Sequence, residues 1–279
     1  MAKPFARRSI IAAFTMVALA MSACSGTDTS TSADGELATV TEGKLTIATG
    51  QPAYSPWVEN DDPAAGEGFE AAVAYAVAEQ LGFKKEDVVW TRSTFDSAIA
   101  PGAKDWDFNL QQFSITDERR NAVDFSSPYY TTAQSVVTLE GSPAAGATSI
   151  ADLADVQFGV QTGTTSQRMI ADTVKPTKEV QVFSNSQDTV QALKGGQVDA
   201  IVVDLPTALY LVAAELDGGK VVGQFEDNSG GDQYGLVLPK DSALTEAVTK
   251  AVDELRENGT LAELEKKWLS ESVDIPVLK

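Results

Sequence analysis

The sequence has no histidine and a single cysteine among its 279 residues. The first absence excludes Ser-His-Asp and Cys-His catalysis, with every zinc site that needs imidazole. The second excludes an internal disulfide and a multi-thiolate metal centre. No metal and no cofactor are expected. Positive charge is also scarce: 21 Lys+Arg stand against 40 Asp+Glu, a net charge of −19. Phosphate binding is driven by clustered Lys and Arg, so a nucleic-acid partner is not expected. What remains is an acidic binding protein, or an enzyme working with carboxylates, lysine, tyrosine or hydroxyls. The length suits one large or two small domains with a substantial core.

Long apolar runs are missing apart from one at the N-terminus. Lys3, Arg7 and Arg8 precede Ile10–Ala20, a stretch too short to span a bilayer comfortably. It ends in Met21-Ser22-Ala23-Cys24-Ser25-Gly26, which resembles a bacterial lipobox. Residues 1–23 are therefore expected to be a lipoprotein signal peptide. Cys24 would be the diacylated, palmitate-bearing N-terminus, because more than one acyl chain is needed for stable anchoring. The bland alternative is an ordinary signal peptide that happens to contain a cysteine. From 24 to 43 the chain is Ser, Thr, Asp, Gly and Ala with almost no large apolar residue. It reads as a flexible tether, since it cannot bury enough surface to offset its ordering entropy.

The body alternates strand and helix patterns. Lys44–Thr49 has period two, while Phe69, Val73, Val77 and Leu81 recur every four residues up to Gly82. Strands are expected at 87–91, 108–112, 135–140, 156–161, 179–183, 198–203 and 234–238. Helices are expected at 95–99, 166–174, 187–194 and 207–216, and from Leu244 to Leu255. A capping box, Thr260-x-x-Glu263, would open the last helix. Such alternation implies an α/β fold with parallel sheets.

Open α/β sheets bind ligands at the carboxyl ends of their strands. Three stretches are expected there. Gln111–Arg120 carries arginines able to grip a carboxylate with two hydrogen bonds, or is simply a solvated charge run. Gly163-Thr164-Thr165 offers backbone N–H groups to an anion, or a plain helix cap. Asp204 ends an apolar strand, where it would pair with an ammonium or cap the next helix.

Their order resembles that of a known family, the amino-acid-binding lipoproteins and periplasmic proteins of ABC importers (solute-binding protein family 3). The resemblance rests on Ser114-Ile115-Thr116-Asp117-Glu118-Arg119 through Tyr130, Gly159–Thr165, Gly196–Asp204, Tyr234–Lys240 and Asn258–Trp268. It implies the two-lobed periplasmic-binding-protein type II fold, two α/β lobes joined by two hinge strands. Lobe one would be residues 44–139 plus 228–279 and lobe two 140–227, with hinges near 136–140 and 222–225. It also implies a monomeric, extracytoplasmic, lipid-anchored substrate-binding protein that delivers an amino acid to a membrane permease. By the same resemblance, Arg119 would hold the α-carboxylate with Ser114 and the N–H groups of Thr164 and Thr165. Asp204 would take the α-ammonium, shared with a group near Gln112. Tyr54 and Phe95 would wall the side-chain pocket, with Trp57 at its rim or in the core.

A zwitterion independently calls for this pairing, because its two opposite charges need one cation and one anion around them. Three departures bear on specificity. Gln51 stands where relatives specific for basic amino acids tend to carry aspartate. Gln111 and Gln112 replace small residues. The family's Gly-Phe-Asp-x-Asp reads Gly68-Phe69-Glu70-Ala71-Ala72. A small or polar uncharged amino acid is the expected ligand. Two other readings are a cyclohexadienyl-dehydratase-like enzyme, with Glu67, Glu70 or Asp204 as general acid, and a sensor-type binding lobe. A binding protein without catalysis is the expectation.

Overall fold

The computed structural model describes residues 37–226, 231–269 and 274–279. The expected signal peptide, Cys24 and the expected tether as far as residue 36 lie outside the described residues. Residues 37–43, expected in the tether, belong to the body. Leu37 packs against the core, and the Val40 N–H donates to the buried Asp107 carboxylate at 2.7 Å.

Two sheets carry the fold, and both are mixed where parallel sheets were expected. The first is built from β1 (Leu45–Thr49), β2 (Val88–Arg92), β3 (Phe108–Asn109), β4 (Val123–Thr132) and β10 (Asp232–Pro239), in the order β2-β1-β3-β10-β4. β1 pairs parallel with β2 and β3, whereas β10 runs antiparallel to β3 and β4. The second holds β5 (Gln134–Leu139), β6 (Phe158–Gln161), β7 (Gln181–Phe183), β8 (Ala200–Asp204), β9 (Gly219–Phe225) and β11 (Val277–Leu278), in the order β11-β9-β5-β8-β6-β7.

The chain thus changes sheet at Ala133, between β4 and β5, not at residue 139. The C-terminal strand β11 returns to the second sheet, although residues 228–279 were expected wholly in lobe one. Hydrogen bonding decides these assignments: β5 lies between β8 and β9, and β11 pairs with Gln224 and Phe225.

Helices cover both sheets. They are α1 (Phe69–Gln80), α2 (Phe95–Ile99), α3 (Asp117–Arg120), α4 (Thr165–Met169), α5 (Ser186–Lys194), α6 (Leu205–Tyr210), α7 (Thr245–Glu257) and α8 (Thr260–Trp268). One π turn continues α4 through Ile170–Val174, and another continues α6 through Leu211–Glu215. Alternation along the strands divides the second core: Val136 and Val202 pack on one face, Val137 and Ile201 on the other. The first core packs Ile47, Phe108 and Leu236 against the α1 and α7 residues Val73, Val77, Val248 and Val252.

Local chemistry sets several boundaries. β3 stops at Asn109 and does not run to residue 112, where Gln112 adopts a positive φ of 51°. The capping box at Thr260 is not formed. Gly259 is the N-cap of α8 with φ 86°, and the Asn258 side chain accepts from the Thr260 N–H at 2.9 Å. Gly68, the N-cap of α1, has φ 98°, and a Cβ there would stand 2.5 Å from the Trp57 carbonyl oxygen. Gly68→Ala is accordingly expected to cost about 2 kcal/mol or more. Thermal unfolding checks this; a midpoint within about 1 °C of wild type would mean the facing turn yields freely.

Candidate functional site

Between the sheets lies a cavity of about 580 Å³, within the range of small-molecule sites. Arg119, Ser114, Thr164, Thr165 and Asp204 all line it. So do Tyr54, Phe95 and Gln112, together with Gln51, Trp57 and Gln111. The three weak stretches of the sequence therefore converge on one place.

Arg119 separates from its charge run. It is 9% exposed, whereas Asp117, Glu118 and Arg120 are exposed. The N-cap Thr116 accepts from the Arg119 N–H and starts the single turn of α3 that turns this side chain inward. Its guanidinium donates to the Ser114 carbonyl at 2.7 Å and to the Gly163 carbonyl of the other lobe at 2.9 Å. It also lies 5.3 Å from the Phe95 ring centroid, and Phe95 in turn stacks on Phe113. Burial depresses its pKa, countered by Asp232 and Asp204.

Asp204 is the N-cap of α6, yet its side chain caps nothing. The carboxylate instead accepts from Gln134 Nε2 at 2.5 Å, and the same nitrogen donates to Asp232 at 2.5 Å. Burial, then the nearby Asp232 charge, pushes Asp204 up to about 7, against the lowering by Gln134 and Arg119. The Tyr234 hydroxyl is buried beside this carboxylate without good hydrogen-bond geometry. Gln134 is a hub, because its oxygen accepts from Ser166 at 2.5 Å.

Thr164 does serve as a plain cap, accepting from the Gln167 N–H at 3.2 Å. Thr165 reaches across to lobe one, donating to Asp232 at 2.8 Å and lying 3.3 Å from the Ser114 hydroxyl.

The two glutamines that replace small residues have defined partners. Gln111 Nε2 donates to Asn109 and to the Ser93 carbonyl. The Gln112 side chain turns to Glu70, which also accepts from the Gln112 backbone N–H and from the Tyr129 hydroxyl. Burial pushes Glu70 up to about 7 against those hydrogen bonds. Glu67 is exposed and outside the cavity lining.

Tyr54 presents a buried hydroxyl without a hydrogen-bond partner, near Gln187 at the start of α5. Trp57 is 2% exposed and packs edge-on against Phe69, Tyr130 and Tyr234. Its indole N–H nevertheless reaches Thr207 of the second lobe at 2.9 Å. Core and rim are therefore one residue. Trp57→Phe keeps most of the packing and loses that bond, so ligand affinity should fall up to about tenfold with little change in unfolding midpoint. Calorimetry and thermal unfolding on one preparation separate the two effects.

The family model for bacterial extracellular solute-binding proteins, family 3, matches residues 45–271. The chain belongs to this family. It is 30% identical over 266 residues to a probable histidine-binding protein of Campylobacter jejuni, covering 93% of this chain and 96% of that one. It is 28% identical over 261 residues to the L-cystine-binding protein TcyJ of Escherichia coli, covering 92% and 95%. Among solved structures, an ancestral arginine-binding protein bound to glutamine superposes with a TM-score of 0.70 at 32% identity, covering 83% of this chain and all of the other. The fold of this solute-binding protein is thus the two-lobed periplasmic-binding-protein type II fold.

Gln134 and Asp232, both in the polar network, were not anticipated from the sequence. Neither sits in a motif, and their pairing joins positions 98 residues apart.

Proposed function

We propose that this solute-binding protein is the lipid-anchored, extracytoplasmic receptor of an ABC importer, capturing an amino acid and handing it to a membrane permease. The observation that carries the reading is one buried guanidinium, Arg119, and one half-buried carboxyl, Asp204, facing a single cavity from different lobes. These charges match the two ends of a zwitterion. Hydrogen bonds to charged groups contribute about 1.5–3 kcal/mol each, enough in combination to offset desolvation of a small ligand. Contacts from both lobes make the ligand favour the closed arrangement, and closure follows from that differential affinity.

A polar, uncharged side chain suits the walls best. Gln51, Gln111, Gln112 and Gln161 supply amides, while Asp61 is paired with Arg92 and Lys194 with Glu215. The cavity volume admits more than a small side chain. A thermal-shift screen of protein lacking Met1–Ala23 against amino acids tests the reading. A ligand at about 100 times its Kd raises stability by about 2.7 kcal/mol. No response to any amino acid would overturn it.

Anchoring rests on the leader pattern ahead of Cys24. Among the described residues no helix is long and apolar enough to cross a membrane. Cells fed a labelled palmitate should label the wild-type protein, and Cys24→Ser should lose both label and membrane retention. Persistent labelling would exclude Cys24 as the acyl acceptor.

One observation favours a second reading. Glu70 and Asp204 are acids poised near 7 in the same cavity, which suits a general acid at neutral pH. Turnover of prephenate or arogenate by purified protein would support a dehydratase-like enzyme; unchanged substrate would exclude that activity.

A further inference from the structure

Glu70 is 2% exposed and receives donors from three directions: the Gln112 backbone N–H at 2.7 Å, Gln112 Nε2 and the Tyr129 hydroxyl. An ionised Glu70 can only accept, so in that state Gln112 turns its NH₂ toward it, as the contact from Gln112 Nε2 shows. Its Oε1 is left over. Among the described residues that oxygen has no hydrogen-bond partner, and Gln112 lines the cavity. The backbone is tied to the same carboxylate, because Gln112, with a left-handed φ of 51°, donates its N–H to Glu70. Nothing else on α1 reaches the cavity, for only Glu70 of that helix lines it.

We propose that Glu70 is a positioning residue that fixes the Gln112 amide with its oxygen toward the ligand, so that this wall accepts hydrogen bonds and selects amino acids presenting N–H donors there over those presenting a carboxylate. The proposal rests on the amino-acid-binding reading and goes beyond it by naming what sets the polarity of one wall. Glu70 itself need not touch the ligand. A neutral glutamine at position 70 can donate as well as accept, so the Gln112 amide loses its reason to point one way. The swap Glu70→Gln with Gln112→Glu puts the carboxylate on the cavity side, where one oxygen accepts from the new amide and the other faces the ligand.

The test uses calorimetry at about pH 8, where Glu70 is predominantly ionised, with L-glutamine, L-arginine and L-glutamate as probes. For wild type, the donor-bearing probes should bind more tightly than L-glutamate. Glu70→Gln should shrink that preference at least about tenfold, and the double variant should restore it. Preference unchanged in Glu70→Gln, or lost there and not regained in the double variant, would overturn the proposal.

A ligand-free readout keeps this apart from the amino-acid reading. In amide-selective NMR the Gln112 side-chain NH₂ should resonate downfield and exchange slowly in wild type, and should lose both properties in Glu70→Gln. Loss of that signature with Glu70→Gln supports the positioning role even if every probe fails to bind. A Gln112 NH₂ that does not respond to Glu70→Gln defeats the role whatever binds.

Discussion

Replacing Arg119 by alanine is expected to weaken binding of every amino acid at least about a hundredfold, with no ligand escaping the effect. The guanidinium is the buried cation of the cavity, and a planar fork can give a carboxylate two parallel hydrogen bonds. Two such bonds at about 1.5–3 kcal/mol each amount to roughly two to four powers of ten in affinity. The bonds to the Ser114 and Gly163 carbonyls fix the plane of the fork before a ligand arrives. The Gly163 bond crosses between lobes, so its loss also makes the closed arrangement less favourable. Lysine at 119 keeps the charge but not the fork and should recover only part of the affinity. Calorimetry on both variants, with unfolding midpoints to show that they remain folded, decides the matter. Affinity of Arg119→Ala within tenfold of wild type would remove Arg119 from the site.

What the sequence made legible was periodic or punctuated. α1 and α7 were visible because apolar residues recur at three to four positions and Gly82 and Gly259 follow. α2 was readable from Phe95 to Ile99, its full extent. By contrast β4, ten residues long, carries Pro128 in its middle and so does not read as a strand. The register of β10 shifts at Gly235, the partner of Pro128, which accommodates the proline.

Strand direction was equally hidden. β10 inserts antiparallel between β3 and β4 from more than a hundred residues away, and no local pattern announces such a partner. The sheet that β5 joins was hidden for the same reason, because its own pattern looks alike in either sheet. Within the candidate site, the motifs shared with the family pointed to Arg119 and Asp204, and both line the cavity. Gln134 was not findable, since its role consists of being equidistant from Asp204 and Asp232, which only the folded chain brings together.

Proton release on binding is the second large effect, and it follows from Asp204. In the ligand-free protein burial and the Asp232 charge hold this carboxyl near 7, far above its ordinary 3.8. Between about 4 and 7 the native state therefore keeps a proton that the unfolded chain has lost. Stability from this group is fully present below about pH 4 and is lost as pH rises through about 7. Asp204→Asn should remove that slope, and Glu70, raised to about 7 by burial, adds a second of the same sign. Ligand binding runs the other way. An ammonium favours the ionised carboxylate, so below about pH 7 the ligand must displace the proton, and affinity should fall by up to about tenfold per pH unit. Calorimetry at about pH 6 in two buffers of different ionisation enthalpy should report release of close to one proton, and Asp204→Asn should report none. Affinity that stays flat between about pH 5.5 and 8 would mean that Asp204 does not receive the ammonium. The two slopes oppose each other, so the ligand-bound protein should gain most over the free protein above pH 7, where repulsion between the ionised Asp204 and the nearby Asp232 costs the empty cleft most.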